Sequence, residues 1–457
     1  MARDMTRGNP GKTLFFFAIP MILGNIFQQL YNIVDSVVVG KFVGPDALAA
    51  VGASGSITFL FIAVALGMSI GASVYISQLF GARKYGKMKT AISTILVAML
   101  VISFILMLIG LLLNKVILKF MNTPSNILAD AQVYLQIYFF GIVFLFLYNT
   151  LTAIYNGLGE SKIPLYFLIL SSFINIVLDL IFVLQFHMGV AGVAWATLIA
   201  QGVSAVVSFM NLIWRIKKLE IKEEFSYFSA KDFISMCRIA IPSTIQQSIL
   251  SVGMLLVQAL VNSYGSVVVA GYTAATKIDS IAIAPMVNVG NAASNFTAQN
   301  IGADKTERVR EGYKAGLLMV TVIGVSIAVL QFIFGELFLG YFVRAKEHPE
   351  VIRVGMEYLR VVSSFYFMMG IMNVSNGVLR GAADMKTFMI CTLCNLTVRV
   401  VLAYTASIFI GENAIWWAIP AGWFVGFCVA YVRLRSGKWK NKSVIRKGLL
   451  KKEAVAK

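Results

Sequence analysis

Asn25, Gln28, Gln29, Asn32, Asp35 and Ser36 recur at steps of three and four, a spacing that puts them on one face of a helix. The stretch that holds them, Leu14 to Val39, is apolar, and Asp35 is its only charge. It is long enough to cross a bilayer, which takes about 20 residues. A carboxylate inside a membrane is costly and by default marks a pathway for an ion or a substrate. Asp35 therefore reads as a working group. Further along, Asn175 and Asp179 stand four apart on another apolar stretch, with Ser172 on the same stripe. Thr197, Gln201 and Ser204 form a polar stripe on the next.

The elements that must position these groups follow from composition. The 457 residues are 58% hydrophobic and 13% charged, where soluble chains carry about 25% charge. The mean hydropathy is +0.80. Apolar runs recur along nearly the whole length, which predicts an all-α polytopic membrane protein. Twelve spans are expected, at 14–40, 47–79, 90–113, 128–157, 163–186, 190–214, 233–263, 267–299, 312–340, 351–379, 387–410 and 413–432. Pro20, Pro242, Pro285 and Pro420 fall inside them. The first run is too long for a signal peptide and lacks a small-residue cleavage site. Of the cysteines Cys237, Cys391, Cys394 and Cys428, the middle two form a CxxC inside an apolar run, where small packing residues are the expected role.

Basic residues set the orientation. With the amino terminus inside, thirty of the 39 Lys and Arg fall on inner segments, and Lys277 and Arg399 lie within spans. Both termini are therefore expected in the cytoplasm. The same bias accounts for the net charge of +18 without a nucleic-acid partner, the basic tail facing membrane lipids instead.

The longest inner connection, 217–232, lies near mid-chain, and the sequence repeats on either side of it. Ala-Ile-Pro at 18–20 returns at 240–242, SQLFGARK (77–84) as AQNIGADK (298–305), and GVAWAT (192–197) as AIWWAI (414–419). GLGESK (157–162) has the longer counterpart LRGAADMK (379–386), and Asn175 has Asn395. The expectation is two pseudo-symmetric six-helix lobes, 1–219 and 220–457, the plan of an alternating-access transporter.

With VDSVVVGKFVG on the first helix and LRGAADMK after the tenth, the chain resembles the multidrug and toxic compound extrusion family over essentially its whole length. That resemblance implies a V-shaped pair of lobes in the plasma membrane, here expected to be bacterial. It further implies secondary active export of amphipathic, cationic, drug-like small molecules in exchange for H+ or Na+, with no other cofactor. A lipid-linked oligosaccharide flippase of the same superfamily is the alternative. Family members with a cation site in the amino-terminal lobe use residues that Asp35, Asn175, Asp179 and Thr197 match. Two carboxylates, an amide carbonyl and a hydroxyl are oxygen ligands suited to Na+ as a metal ion, and the acids can instead hold a proton. Gln28, Tyr31, Asn32, Tyr138 and Gln201 are the expected substrate contacts, with aromatic surface also from Tyr134, Phe139 and Tyr148. A monomer is expected.

The second half does not preserve the site: Arg399 stands where Asp179 stands, and Asp35 falls near Gln258. An arginine cannot ligate a cation, so coupling is expected in the first lobe alone. Lys277 and Asp279 are read as structural charges, with Asp279 pairing to Arg399 as one option. No enzyme activity is expected. The chain shows no phosphate-binding loop, no nucleophile-base pair and only two histidines, His187 and His348.

Overall fold

The structure is a computed structural model that describes residues 4–121, 123–218, 225–342 and 348–445. Residues 219–224 of the central connection, Arg344 and Lys346 among the basic residues, and the tail from residue 446 lie outside the described residues.

Backbone polar groups in lipid must be satisfied within their own segment, so charge-poor apolar runs become helices. The first half contains α1 (Pro10–Val38), α2 (Pro45–Gly81), α3 (Tyr85–Phe120), α4 (Ser125–Gly157), α5 (Lys162–Leu180) and α6 (Gly189–Lys218). The second contains α7 (Ala230–Asn262), α8 (Ser266–Gly302), α9 (Thr306–Gly340), α10 (Pro349–Ser363), α11 (Tyr366–Gly381), α12 (Met385–Ile410) and α13 (Asn413–Arg435). Among the described residues, eleven helices are long and apolar enough to cross a membrane.

The remaining two, α10 and α11, occupy the tenth expected span. The apolar run predicts one helix over 351–379, and the structure breaks it at Ser364 and Phe365. No Pro or Gly sits at the break. There the Ser364 hydroxyl donates to the Arg360 carbonyl at 2.7 Å, and the Phe365 N–H turns to the Val362 carbonyl at 3.1 Å, three residues back instead of four. Phe365 then starts the next helix, its carbonyl accepting from Met368 N–H at 2.9 Å.

The chain forms two compact units whose borders fall inside helices: one holds Leu23–Thr244, the other Asp4–Ile22 and the chain from Ile245. In the first, α4 packs against α2, α3 and α6, and α5 lies on α6. In the second, α8 packs on α9, α10 and α11, and α13 on α12 and α11. Segments leading into α1 and α7 are held in matching ways. Met5 N–H donates to Gln299 Oε1 at 3.0 Å, Lys305 Nζ to the Thr6 carbonyl at 2.9 Å and Arg308 Nη2 to the Arg7 carbonyl at 2.6 Å. Before α7, Ser226 N–H donates to Thr90 Oγ1 and Ser229 N–H to Thr94 Oγ1. There Asp232 accepts from the Tyr75 hydroxyl at 2.6 Å.

The repeated motifs build the same turns twice. Arg83 and Asp304 both adopt left-handed backbone, with φ of 56° and 58°. Each turn closes with a six-residue bond, Lys84 N–H to Leu79 O at 3.1 Å and Lys305 N–H to Asn300 O at 2.8 Å. Gly159 and Ala383 repeat this geometry at φ of 81° and 61°. The end of the last long helix of each half ties back to that turn, Arg215 to Glu160 at 3.7 Å and Arg433 to Asp384 at 2.6 Å.

Candidate cation site

Asp35 lies one turn before the end of α1, and Asp179 next to the end of α5. Both helices then pass directly into π-helical turns, Val39–Val43 and Ile181–Gln185. A π turn carries one extra residue, so it re-aims the side chains beside it, and such turns are frequent at functional sites. The sequence reading missed both, because neither has a distinctive residue signal. Val39 and Val183, one from each turn, are buried in a single apolar cluster with Val38, Ala47, Val190 and Val193.

Asp179 is fully buried and Asn175 has 1% of its surface exposed. Asn175 Nδ2 donates to Thr197 Oγ1 at 3.2 Å, and that oxygen lies 3.5 Å from the Tyr31 hydroxyl. The Asp35 and Asp179 carboxyls meet across the α1–α5 approach. Tyr134 of α4 lies close to both. Buried and without a hydrogen-bond partner are both oxygens of Asp179, Asp35 Oδ1 and Asn175 Oδ1. An ionised carboxylate only accepts hydrogen bonds, so two carboxyls meeting in a buried place favour a shared proton or a bound cation between them. Among the described residues no three His, Cys, Asp or Glu side chains converge.

Beside this cluster, α4 and α6 bound a cleft lined by Tyr134, Tyr138, Gly141, Leu145, Ala194, Thr197, Leu198 and Gln201. Tyr134 and Tyr138 stack at 6.5 Å with planes 18° apart, and the Tyr138 hydroxyl is buried with no partner. Thr197 belongs to both the cluster and the cleft. The structure thus unites Asp35, Asn175, Asp179, Thr197 and Tyr31, and sets Tyr138 and Gln201 next to them. Gln28 and Asn32 are not brought in. Both are exposed, and Asn32 Nδ2 donates to Gln29 Oε1 at 3.4 Å. Asn32 is turned about 100° round α1 from Tyr31, and Gln28 is nearly two turns from Asp35, so neither reaches.

In the other unit, Asp279 does not ion-pair with Arg399. Its Oδ1 accepts from the Tyr366 hydroxyl at 2.6 Å and its Oδ2 from the Tyr358 hydroxyl at 3.2 Å. One tyrosine comes from α10 and the other from α11, so the carboxylate bridges the break in the tenth span. Lys277 lies over the Phe342 ring at 5.7 Å.

Fold and site together describe a polytopic helical membrane protein built from a duplicated unit, with a buried polar cluster of two carboxyls, an amide and hydroxyls inside one half. The comparisons with known proteins give that class a family. The MatE family model matches residues 20–181 and 242–405, two stretches that mirror the internal repeat. A probable multidrug resistance protein, YpnP of Bacillus subtilis, is 30% identical over 446 residues, covering 96% of this chain and 98% of its own. The probable multidrug resistance protein NorM of Thermotoga maritima is 23% identical, covering 96% and 95%. A crystallised MATE family transporter in an outward-facing conformation matches with a TM-score of 0.88 at 23% identity, covering 96% of this chain and 99% of that one. The chain belongs to the MatE family, the multidrug and toxic compound extrusion transporters.

Proposed function

We propose that the protein is a secondary active antiporter that exports amphipathic, cationic organic compounds from the cytoplasm in exchange for H+ or Na+. The observation that carries this reading is the meeting of the two carboxyls of Asp35 and Asp179 in the buried interior of the first unit. Na+ would be held by those carboxylates with Asn175 Oδ1 and Thr197 Oγ1, and a proton by the carboxylates alone. Ion and drug then compete: a bound ion cancels the negative field that draws a cationic substrate to the neighbouring cleft. Tyr134 and Tyr138 supply ring faces to such a substrate, and Gln201 an amide. One-for-one exchange of a coupling cation for a monovalent cationic substrate is electroneutral, so the ion's own concentration gradient drives export, a tenfold gradient contributing about 1.4 kcal/mol. The names of relatives such as YpnP and NorM agree with drug export. The decisive experiment loads proteoliposomes with a fluorescent cationic dye and imposes a Na+ or pH gradient. Dye movement that follows one gradient supports the reading, and movement indifferent to both overturns it in favour of a lipid-linked substrate.

In this reading the two repeat lobes, 1–219 and 220–457, work as one monomer among anionic lipids of the plasma membrane, with both termini cytoplasmic. Tyr227, exposed in the central connection, tests that orientation. In a background free of the four native cysteines, Tyr227→Cys is expected to resist an impermeant maleimide applied outside intact cells and to react once the cells are opened. Labelling from outside would invert the topology.

A further inference from the structure

Val97, Leu100, Val101, Phe104 and Ile105 are exposed along α3 at steps of three and four, so they form the apolar face that this membrane helix turns to lipid. Toward the start of α3 the same face continues, at steps of four, through Ser93 to Lys89. Lys89 is the last charge before an uncharged run that reaches Asn114. It therefore stands on the lipid-facing side of α3, at the level where the helix meets the headgroups.

A non-helical strap, residues 225–229, is fastened to that end of the face. Ser226 N–H donates to Thr90 Oγ1 at 3.1 Å, Ser93 Oγ to the Tyr227 carbonyl at 2.7 Å and Ser229 N–H to Thr94 Oγ1 at 3.0 Å. The strap thus climbs α3 toward the bilayer with backbone groups held by hydroxyls, as irregular chain at the edge of lipid requires. Its aromatic side chains point outward: Phe225, Tyr227 and Phe228 are 36%, 77% and 49% exposed. Phe225 meets Tyr227 edge to face at 5.4 Å, and the Lys89 ammonium lies 3.8 Å from the centre of the Phe225 ring. Exposed rings beside a basic residue at the end of a span are the pattern of a membrane interface. Lys89 also carries the unspent charge of this corner. Lys87 faces Asp232 at 3.6 Å, whereas among the described residues no carboxylate comes within ion-pair distance of Lys89. Residues 217–224 hold three Lys and three Glu, which cancel. The Phe225 ring covers one side of the ammonium, and its remaining N–H donors are available to phosphate oxygens.

We infer that Lys89 and the strap at 225–229 form a seat for an anionic phospholipid, its phosphate on the Lys89 ammonium and its acyl chains beside Phe228 and the apolar face of α3. A zwitterionic lipid brings its own cation to the phosphate, so Lys89 favours a lipid with net negative charge. Tyr227, apolar in its ring and polar at its tip, stays at headgroup level within reach of water. The topology proposed above puts the seat in the inner leaflet, and the seat itself does not depend on that topology.

The test puts a bimane fluorophore on Phe228→Cys in the full-length protein freed of its four native cysteines. The protein is placed in nanodiscs in which a small fraction of the lipid carries bromine on its acyl chains, and bromine quenches bimane only near contact. Brominated phosphatidylglycerol is expected to quench about fivefold more effectively than brominated phosphatidylcholine at the same fraction, the preference one lysine gives for an anionic lipid. Lys89→Gln should bring the two lipids level. Lys115→Gln, the same change at the opposite end of α3, should leave the preference intact. Absence of quenching by either lipid would put the strap in water and overturn the inference. Equal quenching by the two lipids with Lys89 present, a preference that survives Lys89→Gln, or an equal loss in Lys115→Gln would also overturn it. A nanodisc has no inside or outside, so labelling of Tyr227→Cys from outside cells would move the seat to the other leaflet and leave this result standing.

Discussion

Asp35→Asn and Asp179→Asn are each expected to reduce ion-driven dye export to background while the protein stays folded and inserted. The Asp35 and Asp179 carboxyls meet, and when both are ionised they offer only acceptor oxygens to one another. Replacing either acid by its amide removes a negative charge and adds an N–H2 group that can donate to the remaining carboxylate. In the proposed mechanism the substitution supplies internally what the ion would supply in the wild type, and the site would no longer need the ion. Two measurements separate this from simple damage. Dye flux in proteoliposomes should lose its dependence on the imposed gradient, and the melting midpoint of the purified variant should hold or rise, because an unsatisfied pair has become a hydrogen-bonded one. A lowered midpoint with export intact would mean that the pair is structural and the ion acts elsewhere.

Gly377→Ala gives the largest expected loss of stability. Within their unit, α8 and α11 touch backbone to backbone: a Cβ on Gly377 would stand 2.2 Å from the Gly290 carbonyl oxygen, and one on Gly381 2.2 Å from that of Ser294. No side chain can swing away to make room, so the helices must separate. In a membrane, where lipid is as apolar as the protein, close approach of small residues is itself what holds helices together. Overpacking of this kind costs about 1–3 kcal/mol or more. The yield of monodisperse protein and its melting midpoint should both fall. Gly52→Ala is the control, since nothing lies within 4 Å of a Cβ at that helical position. That change should be neutral or stabilise by up to about 1 kcal/mol. Equal behaviour of the two variants would show that the α8–α11 approach is not under tension.

Hydropathy and spacing alone determined that this chain is a bundle of membrane helices, because lipid leaves an apolar backbone no other way to satisfy its hydrogen bonds. The internal repeat was legible because duplicated motifs hold their register, and the structure shows why those residues recur: Arg83 and Asp304 make the same left-handed turn. Asn175 and Asp179 were legible as one helical face, since four residues is one turn.

Tertiary structure decided the rest. That Asp35 faces Asp179, and that Thr197 joins Asn175 and Tyr31, depends on how α1, α5 and α6 pack and on two π turns that shift the register beside the acids. Periodicity names a face of a helix, not what that face meets. The polar stripe on α1 accordingly held six candidates, of which only Asp35 enters the cluster, while Gln28 and Asn32 remain exposed. Opposite charges inside a span suggest a pair, yet Asp279 accepts from tyrosine hydroxyls of α10 and α11, and Arg399 lies beside the Tyr272 hydroxyl. Which donor reaches a buried carboxylate first is a matter of a few ångströms, and a sequence carries no distances.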